Sequence, residues 1–391
     1  MRDNMKAKSY YKLNTKGDTL KISKLAREHR LADETVVNAT VGSLYDEQHV
    51  FYEYEAVKKA IHEGPTAYPY KTSEGDPEVA RKWLEHLFEA HTPKQYQAMI
   101  TNVGTGALSL AMDTYLEPGD IVLSGVPDWT NYQNLVEHGK HQYITFPLFN
   151  DQGVYNVEAL ESLLNQYLGQ RIMIMINDPA QNPTGYSMDK KTWQRVLECI
   201  NTYNQERNII LLIDCAYIDY AEHKTIALEL LKTQDNPVMT LLVISGSKSF
   251  SLYGARIGML AALSHDDEEL ASFKEASLYA ARGTYSLPSN FGMNVLSHVF
   301  NHHETFTNEL QSSKRMLQLR GIAFKALLDE KNIKYYPQHD GFFVTLISED
   351  PFDLFEQLKA KKIYAIPVEK GVRVALSSMS LEDIQALHYI L

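Results

Sequence analysis

Residues 239–262 read MTLLVISGSKSFSLYGARIGMLAA. Two apolar runs, Met239–Ile244 and Ile257–Ala262, flank a polar stretch holding Ser245, Ser247, Lys248 and Arg256. Runs this short, nearly all apolar and bounded by Gly or Ser, predict strands buried on both faces. The same texture recurs at Ile121–Ser124, Tyr143–Phe146, Arg171–Ile176 and Ile209–Ile213. Helical patterns lie between several of them, at Gly106–Leu116, Tyr132–Glu137, Val157–Leu168 and Lys190–Asn204. Doubly apolar strands alternating with helices predict an α/β fold, a mostly parallel sheet sandwiched by helices.

After about residue 287 the texture changes. Asn290–Leu328 reads as one long helical stretch, followed by a strand at Phe342–Ile347, a helix at Pro351–Lys361, a strand at Val372–Leu376 and a closing helix from Leu381. Residues 1–45 offer a helix at Asp18–Arg30 and an extended piece at Thr35–Thr40. The chain has 391 residues, more than one hydrophobic core usually holds. The expected division is a large domain over 46–290 and a smaller α+β domain built from 1–45 and 291–391.

Composition narrows the function. With 44% hydrophobic and 22% charged residues the chain is an ordinary globular one, not a disordered or collagen-like one. Acidic residues outnumber basic ones by 49 to 38, so the net charge is -11. That balance argues against nucleic acid and anionic membranes as partners, since both need clustered Lys and Arg. Cys199 and Cys215 are too few for a disulfide framework or a cysteine-rich zinc site, and no metal is expected. They fit a reducing compartment. The opening MRDNMKAKSYYKLNTKGD has no apolar signal core, and no apolar run approaches membrane-spanning length, so a cytoplasmic protein is expected.

Four groups of residues follow predicted strands. Lys248 lies just past Met239–Ile244. There a lysine can lose water, drop its pKa and serve as a Schiff-base nucleophile, with Ser245, Ser247 and Arg256 free to hold a dianionic phosphate. Read alone, this is equally a surface loop with an exposed lysine. The segment Asn177 to Gly185, with Asn182 inside it, follows Arg171–Ile176 and is a constrained turn of the kind that carries binding residues, or simply a connection. Asp214 and Tyr217 follow Ile209–Ile213. A desolvated acid there needs a cationic partner such as a pyridinium N–H, although by itself Asp214 reads first as a helix N-cap. Gly104, Thr105 and Gly106 open a helix whose N–H groups can bind an anion, and Trp129 follows Ile121–Ser124, where it can stack on a ring or fill the core. All four groups sit at carboxyl ends of strands, where open α/β sheets bind ligands. An amine, an acid, two phosphate-binding elements and a stacking face are together what pyridoxal 5'-phosphate requires.

The chain from about Asp18 to its end resembles a pyridoxal-phosphate-dependent aminotransferase of class I, fold type I. The motifs appear in the family's order: Asn182-Pro183-Thr184-Gly185, Asp214-x-Ala216-Tyr217, and Ser245-x-Ser247-Lys248 with Arg256 and Gly258. Ser247-Lys248-Ser249-Phe250-Ser251-Leu252-Tyr253 is similar to the lysine segment of the aspartate and aromatic aminotransferases. So are Arg282-Gly283-Thr284-Tyr285-Ser286-x-Pro288, Gly371-Val372-Arg373-Val374 with Met379, Val41-Gly42, and Tyr70 five residues before Gly75. The resemblance implies a seven-stranded sheet and a homodimer with shared active sites. It implies that Lys248 holds the cofactor and moves the substrate proton, that Asp214 pairs with the ring nitrogen, and that Asn182 and Tyr217 bind the ring oxygen. Gly104, Thr105, Gly106, Ser245, Ser247 and Arg256 would anchor the phosphate, with Tyr70 reaching in from the neighbouring subunit, and Trp129 would stack on the ring. Arg373 would take the α-carboxylate, Arg282 would cross the interface to a side-chain carboxylate, and the backbone at Gly42 would approach the substrate. The implied reaction transfers an amino group between an L-amino acid, aspartate or aromatic, and a 2-oxo acid such as 2-oxoglutarate. A β-lyase or decarboxylase of the same fold type is the alternative. Two positions depart from the subgroup: Val103 stands where a serine is common, and Tyr132 where a histidine usually backs the acid.

Overall fold

The computed structural model describes residues 19–64, 69–232 and 238–390. In chain order its strands are β1 (Val37–Asn38), β2 (Gln97–Thr101), β3 (Ile121–Val126), β4 (Gln142–Pro147), β5 (Ile172–Asn177), β6 (Ile209–Asp214), β7 (Met239–Ser245), β8 (Gly258–Leu263), β9 (Phe343–Ile347), β10 (Ile363–Tyr364), β11 (Ile366–Val368) and β12 (Gly371–Ala375). β2 to β8 form one seven-stranded sheet in the order 2-8-7-6-5-3-4. β8 runs antiparallel to both neighbours, and every other pair is parallel.

The apolar runs form strands because both of their faces find a core. Along β6, Ile209, Leu211 and Ile213 enter one hydrophobic cluster, while Ile210 and Leu212 enter another on the opposite face. β5 divides in the same way, with Ile172, Ile174 and Ile176 on one side and Met173 and Met175 on the other. A strand with this two-sided burial leaves no polar position until its end, so the first polar side chains appear together at the carboxyl edge. That edge presents Asn177 from β5, Asp214 from β6 and Ser245 from β7, with Asn177 and Asp214 in direct register.

All six strands read for the large sheet are present, within two residues at each end, as are the two read at Phe342–Ile347 and Val372–Leu376. The seventh, β2, was missed because it lies at the sheet's edge with Gln97 and Ala98 only half-buried, and QAMIT shows no continuous apolar run. The single helix read over Asn290–Leu328 is two helices, Asn290–Asn301 and His303–Glu330, which break at His302. The extended piece Thr35–Thr40 shrinks to β1, and the first helix runs Thr19–Ala32, with Asp18 outside the described residues. No described helix is long and apolar enough to cross a membrane.

Beyond residue 330, β9, β11 and β12 make a three-stranded antiparallel sheet. The N-terminal segment joins this region through β1, which pairs in parallel with β10. Arg320, on the helix His303–Glu330, fastens the same segment from below. Fully buried, it donates to the Tyr45 carbonyl at 2.9 Å, to the Leu376 carbonyl at 3.3 Å and to Glu47 at 2.9 Å. The other oxygen of Glu47 accepts from the Leu381 amide at 2.7 Å. Replacing Arg320 by Met keeps much of the volume but leaves buried carbonyls unpaired, at roughly 1–3 kcal/mol. The expected result of urea denaturation is a lower midpoint at unchanged slope. A midpoint equal to the wild type would remove Arg320 from this role.

Candidate functional site

The carboxyl edge of the large sheet opens into a cavity of about 200 Å³. Lys248, Asp214, Asn182, Tyr217, Gly104, Thr105, Trp129, Ser245, Ser247 and Arg256 all line it, although they come from sequence segments far apart. A larger cleft of about 1000 Å³ lies between the helices Thr19–Ala32 and Leu381–Ile390 and holds none of the predicted site residues. Arg30 and His49, in its wall, both face Asp383.

Asp214 is the last residue of β6 and is buried. One carboxyl oxygen accepts from the Tyr132 hydroxyl at 2.6 Å and the other from the Ala216 amide at 3.0 Å. Burial pushes the acid up to about 6, against the pull of those two donors. Asn177 joins this acid to the neighbouring loop: its amide donates to the Asp214 carbonyl at 2.7 Å, and its side-chain oxygen accepts from the Asn182 amide at 2.7 Å. Asn182 is therefore placed by backbone anchoring from the adjacent strand. Tyr217 packs edge-on against Phe342 and Phe343, and burial holds its phenol far above the ordinary range.

Lys248 sits on the one-turn helix Gly246–Ser249 that follows β7. Its amine donates to the Gly42 carbonyl at 2.8 Å and lies 4.8 Å from the Tyr253 ring centroid and 5.5 Å from that of Tyr217. Loss of water, then the positive charges of Arg373 and Arg256, bring this amine down to about 7. Gly42 matters for space as well, because a Cβ there would lie 3.1 Å from Phe343 Cζ and 3.6 Å from the amine.

The anion-binding end is built around the helix Val103–Tyr115, whose N-cap Asn102 makes no side-chain cap bond. The first amides of such a helix attract an anion. The start of this helix is held in a tight place. A Cβ on Gly104 would meet Ser245 Cβ at 3.3 Å, and one on Gly258 would come within 2.4 Å of the Val103 carbonyl carbon. Val103 itself has φ +63°, a left-handed conformation costly for a β-branched residue. Ser247 is buried with its hydroxyl unpartnered, Ser245 is buried beside it, and Arg256 spends one nitrogen on the Tyr253 carbonyl at 3.0 Å. A buried hydroxyl with no partner beside a helix start and a guanidinium is what a phosphate would complete. Gly106 lies outside the cavity lining, on an adjoining open cleft with Arg256.

Arg373 points from β12 into the interior. It is 7% exposed, stacks at 4.5 Å over the Phe343 ring, and donates to Asn182 Oδ1 at 3.2 Å and the Thr40 carbonyl at 3.0 Å. Its Nε has no partner, and no carboxylate among the described residues pairs with it. Burial lowers the guanidinium to about 10, yet it stays charged at neutral pH. A buried cation with no carboxylate beside it among the described residues suits a ligand's carboxylate.

Two predicted residues stand apart. Tyr70 is 91% exposed, and Arg282 is exposed at the end of the helix Asp267–Thr284, where it donates to Ser286 at 3.1 Å. Neither lines the cavity. Tyr132, which the resemblance set behind the acid, does donate to Asp214, while two residues without a predicted site role also come here: Asn177, and Tyr253, whose ring flanks the amine and whose hydroxyl accepts from the Leu44 amide at 3.0 Å. Asn177 was legible as the polar end of an apolar strand. Tyr253 depends on a long-range approach that spacing does not reveal.

This chain belongs to the aminotransferase class I and II family, which matches residues 34–389. Membership in that family brings pyridoxal 5'-phosphate as the cofactor. The aromatic-amino-acid aminotransferase of Escherichia coli K12 is 26% identical over 331 residues, covering 78% of this chain and 81% of that protein. The aspartate aminotransferase of Sulfurisphaera tokodaii is 26% identical over 294 residues, covering 74% of this chain and 68% of that one. Among solved structures, an aminotransferase from Anaerococcus prevotii superposes with a TM-score of 0.91 at 25% identity, over 99% of both chains. The α/β architecture with its mostly parallel seven-stranded sheet is the fold-type-I architecture that the motifs implied.

Trace acylation of cofactor-free protein across pH should give Lys248 a midpoint near 7, so that it reacts ahead of ordinary lysines at neutral pH. A midpoint near the usual 10.5 would show that the amine is hydrated and the cavity open.

Proposed function

We propose that the protein is a pyridoxal-phosphate-dependent aminotransferase moving an amino group between an L-amino acid, aspartate or aromatic, and a 2-oxo acid such as 2-oxoglutarate. The observation that carries this reading is Arg373, a buried guanidinium without a carboxylate, close enough to the Lys248 amine to depress it. An α-carboxylate paired there brings the substrate Cα towards the amine.

The cavity suits the cofactor by its own chemistry: an unpartnered buried hydroxyl, a helix start, a guanidinium and an acid held by neutral donors. When bound, the cofactor supplies an electron sink for the charge left on the substrate Cα. Asp214 would accept the ring N–H. Asn182 and Tyr217 would donate to the ring oxygen, and Trp129 would cover a face. Gly104, Thr105, Gly106, Ser245, Ser247 and Arg256 would hold the phosphate. Lys248 Nζ, poised near neutrality, can take the Cα proton and return it elsewhere, the task a general base with such a pKa performs best. Arg373, gripping the carboxylate, fixes which Cα bond is presented.

Tyr70 and Arg282 are read as serving a second copy of the chain, which makes the enzyme a homodimer whose subunits complete each other's sites. Exposed Tyr70, Tyr279 and Phe291 offer apolar surface for that contact. The large domain over 46–290 and the small domain of 1–45 with 291–391 remain our division of the chain, and the cytoplasm its compartment, in keeping with Cys199 and Cys215, both free and buried.

The test is product analysis with aspartate, tyrosine or phenylalanine against 2-oxoglutarate. Glutamate should form in step with the donor's oxo acid, and release of ammonia or carbon dioxide instead would turn the reading to a lyase or decarboxylase. Arg373→Ala should lower kcat/KM for every donor. Arg282→Ala should cost about 10²–10³ for aspartate, the loss of one partner in a desolvated ion pair, and little for phenylalanine. Equal losses for both donors would remove Arg282 from substrate recognition.

A further inference from the structure

Tyr132 occupies the position behind the acid where the resemblance places a histidine, and it makes the only side-chain hydrogen bond that Asp214 receives among the described residues. The residue is 1% exposed, at the start of the helix Asn131–His138. Its hydroxyl approaches one Asp214 oxygen at 2.6 Å, while the Ala216 amide takes the other at 3.0 Å. A phenol facing a carboxylate anion can only donate, whereas an imidazole can also take up a proton.

We propose that Tyr132 is a positioning residue for the proton shared by Asp214 and the cofactor ring: a neutral, non-titrating donor that holds Asp214 as an ionised, oriented acceptor. This rests on the function proposed above and deepens it. With both Asp214 oxygens engaged by neutral donors, a lone pair remains for a ring N–H and no titrating base stands behind the acid.

The surroundings keep the phenol a donor. Burial, then the charge of Asp214, raises its pKa well above the ordinary tyrosine value. Asp128, three residues after Gly125 at the end of β3, lies near the same ring; it accepts from Ser124 at 3.2 Å and from Tyr143, and burial lifts it to about 7. Any negative charge that Asp128 acquires above that pH disfavours tyrosinate further. Trp129 closes the other side, edge-on at 5.4 Å. The remaining titratable groups facing Asp214 are Cys215, Tyr217 and Lys248, and the strand neighbours in register, Asn177 and Val243, do not titrate.

The test uses cofactor-loaded wild type, Tyr132→Phe and Tyr132→His, followed by the visible band of the Lys248-bound cofactor across pH, by cofactor retention and by kcat and KM separately. Removing the donor makes Asp214 more basic, so it draws the shared proton from the ring. The ring then carries less positive charge, and the pH midpoint of the band should move upward. For Tyr132→Phe, kcat should fall about 10–100-fold, the size of one lost hydrogen bond to a charged group, with KM little changed. Tyr132→His should recover part of kcat and add a second transition at histidine's ordinary range near 6.5. An unmoved midpoint with wild-type kcat in Tyr132→Phe overturns the proposal. If that variant fails to fold or to keep cofactor, Tyr132→His decides, and a single unshifted transition there overturns it. A wild type that forms no such band overturns the proposed function itself and this inference with it.

Discussion

Two ionisable groups of opposite kind, one buried and one half-buried, stand at the ends of adjacent strands, and the rest of the site is arranged around that constraint. Asp214 closes β6 and Lys248 follows β7, its parallel neighbour. Loss of water raises the acid to about 6 and lowers the amine to about 7, so each is driven towards its neutral form. Asp214 costs stability as pH rises from its ordinary 3.8 through about 6, because the folded chain holds that proton more tightly. Lys248 costs stability as pH falls from 10.5 through about 7, because the folded chain holds that proton less tightly. Near neutrality both penalties are present, at about 1.4 kcal/mol per pKa unit. A ring cation beside Asp214 and a covalent bond at Lys248 would each remove one. Two of the chain's local costs thus coincide with the two contacts that the cofactor would supply.

Holding an amine out of water requires a cover, and the cover comes from the far end of the sequence. The Gly42 carbonyl that accepts from Lys248 lies on a segment held by β1 against β10, by Arg320 beneath Tyr45 and by the Leu44 amide on Tyr253. The same segment offers the Thr40 carbonyl to Arg373, whose other contact is Asn182 on the large sheet's loop. A carboxylate bound at Arg373 would therefore touch the N-terminal segment and the carboxyl edge of the large sheet together.

Much of this was legible in the sequence because burial on both faces leaves a plain signature. Six strands read as apolar runs, and their polar ends named Lys248, Asp214, Asn182 and Ser245 at once. β2 escaped because an edge strand needs no continuous apolar run, and β10 and β11 because two or three residues are too short to display a period. The break at His302 escaped because neither glycine nor proline marks it. The contact of Tyr132 with Asp214 spans 82 residues and no local pattern encodes it; only the family resemblance set Tyr132 behind the acid. Tyr70 and Arg282 are a separate case: their motifs name them, yet one chain leaves both on its surface. In the proposed dimer their role would lie in a surface contact rather than in the fold.

The central claim is that Lys248 is the residue to which the cofactor is joined. Borohydride reduction of the purified, cofactor-loaded protein followed by peptide mapping tests it directly. The account predicts one reduced pyridoxyl adduct, on the peptide carrying Ser245-Gly246-Ser247-Lys248, with loss of the visible band. An adduct on any other lysine, or a band that survives reduction, would contradict it.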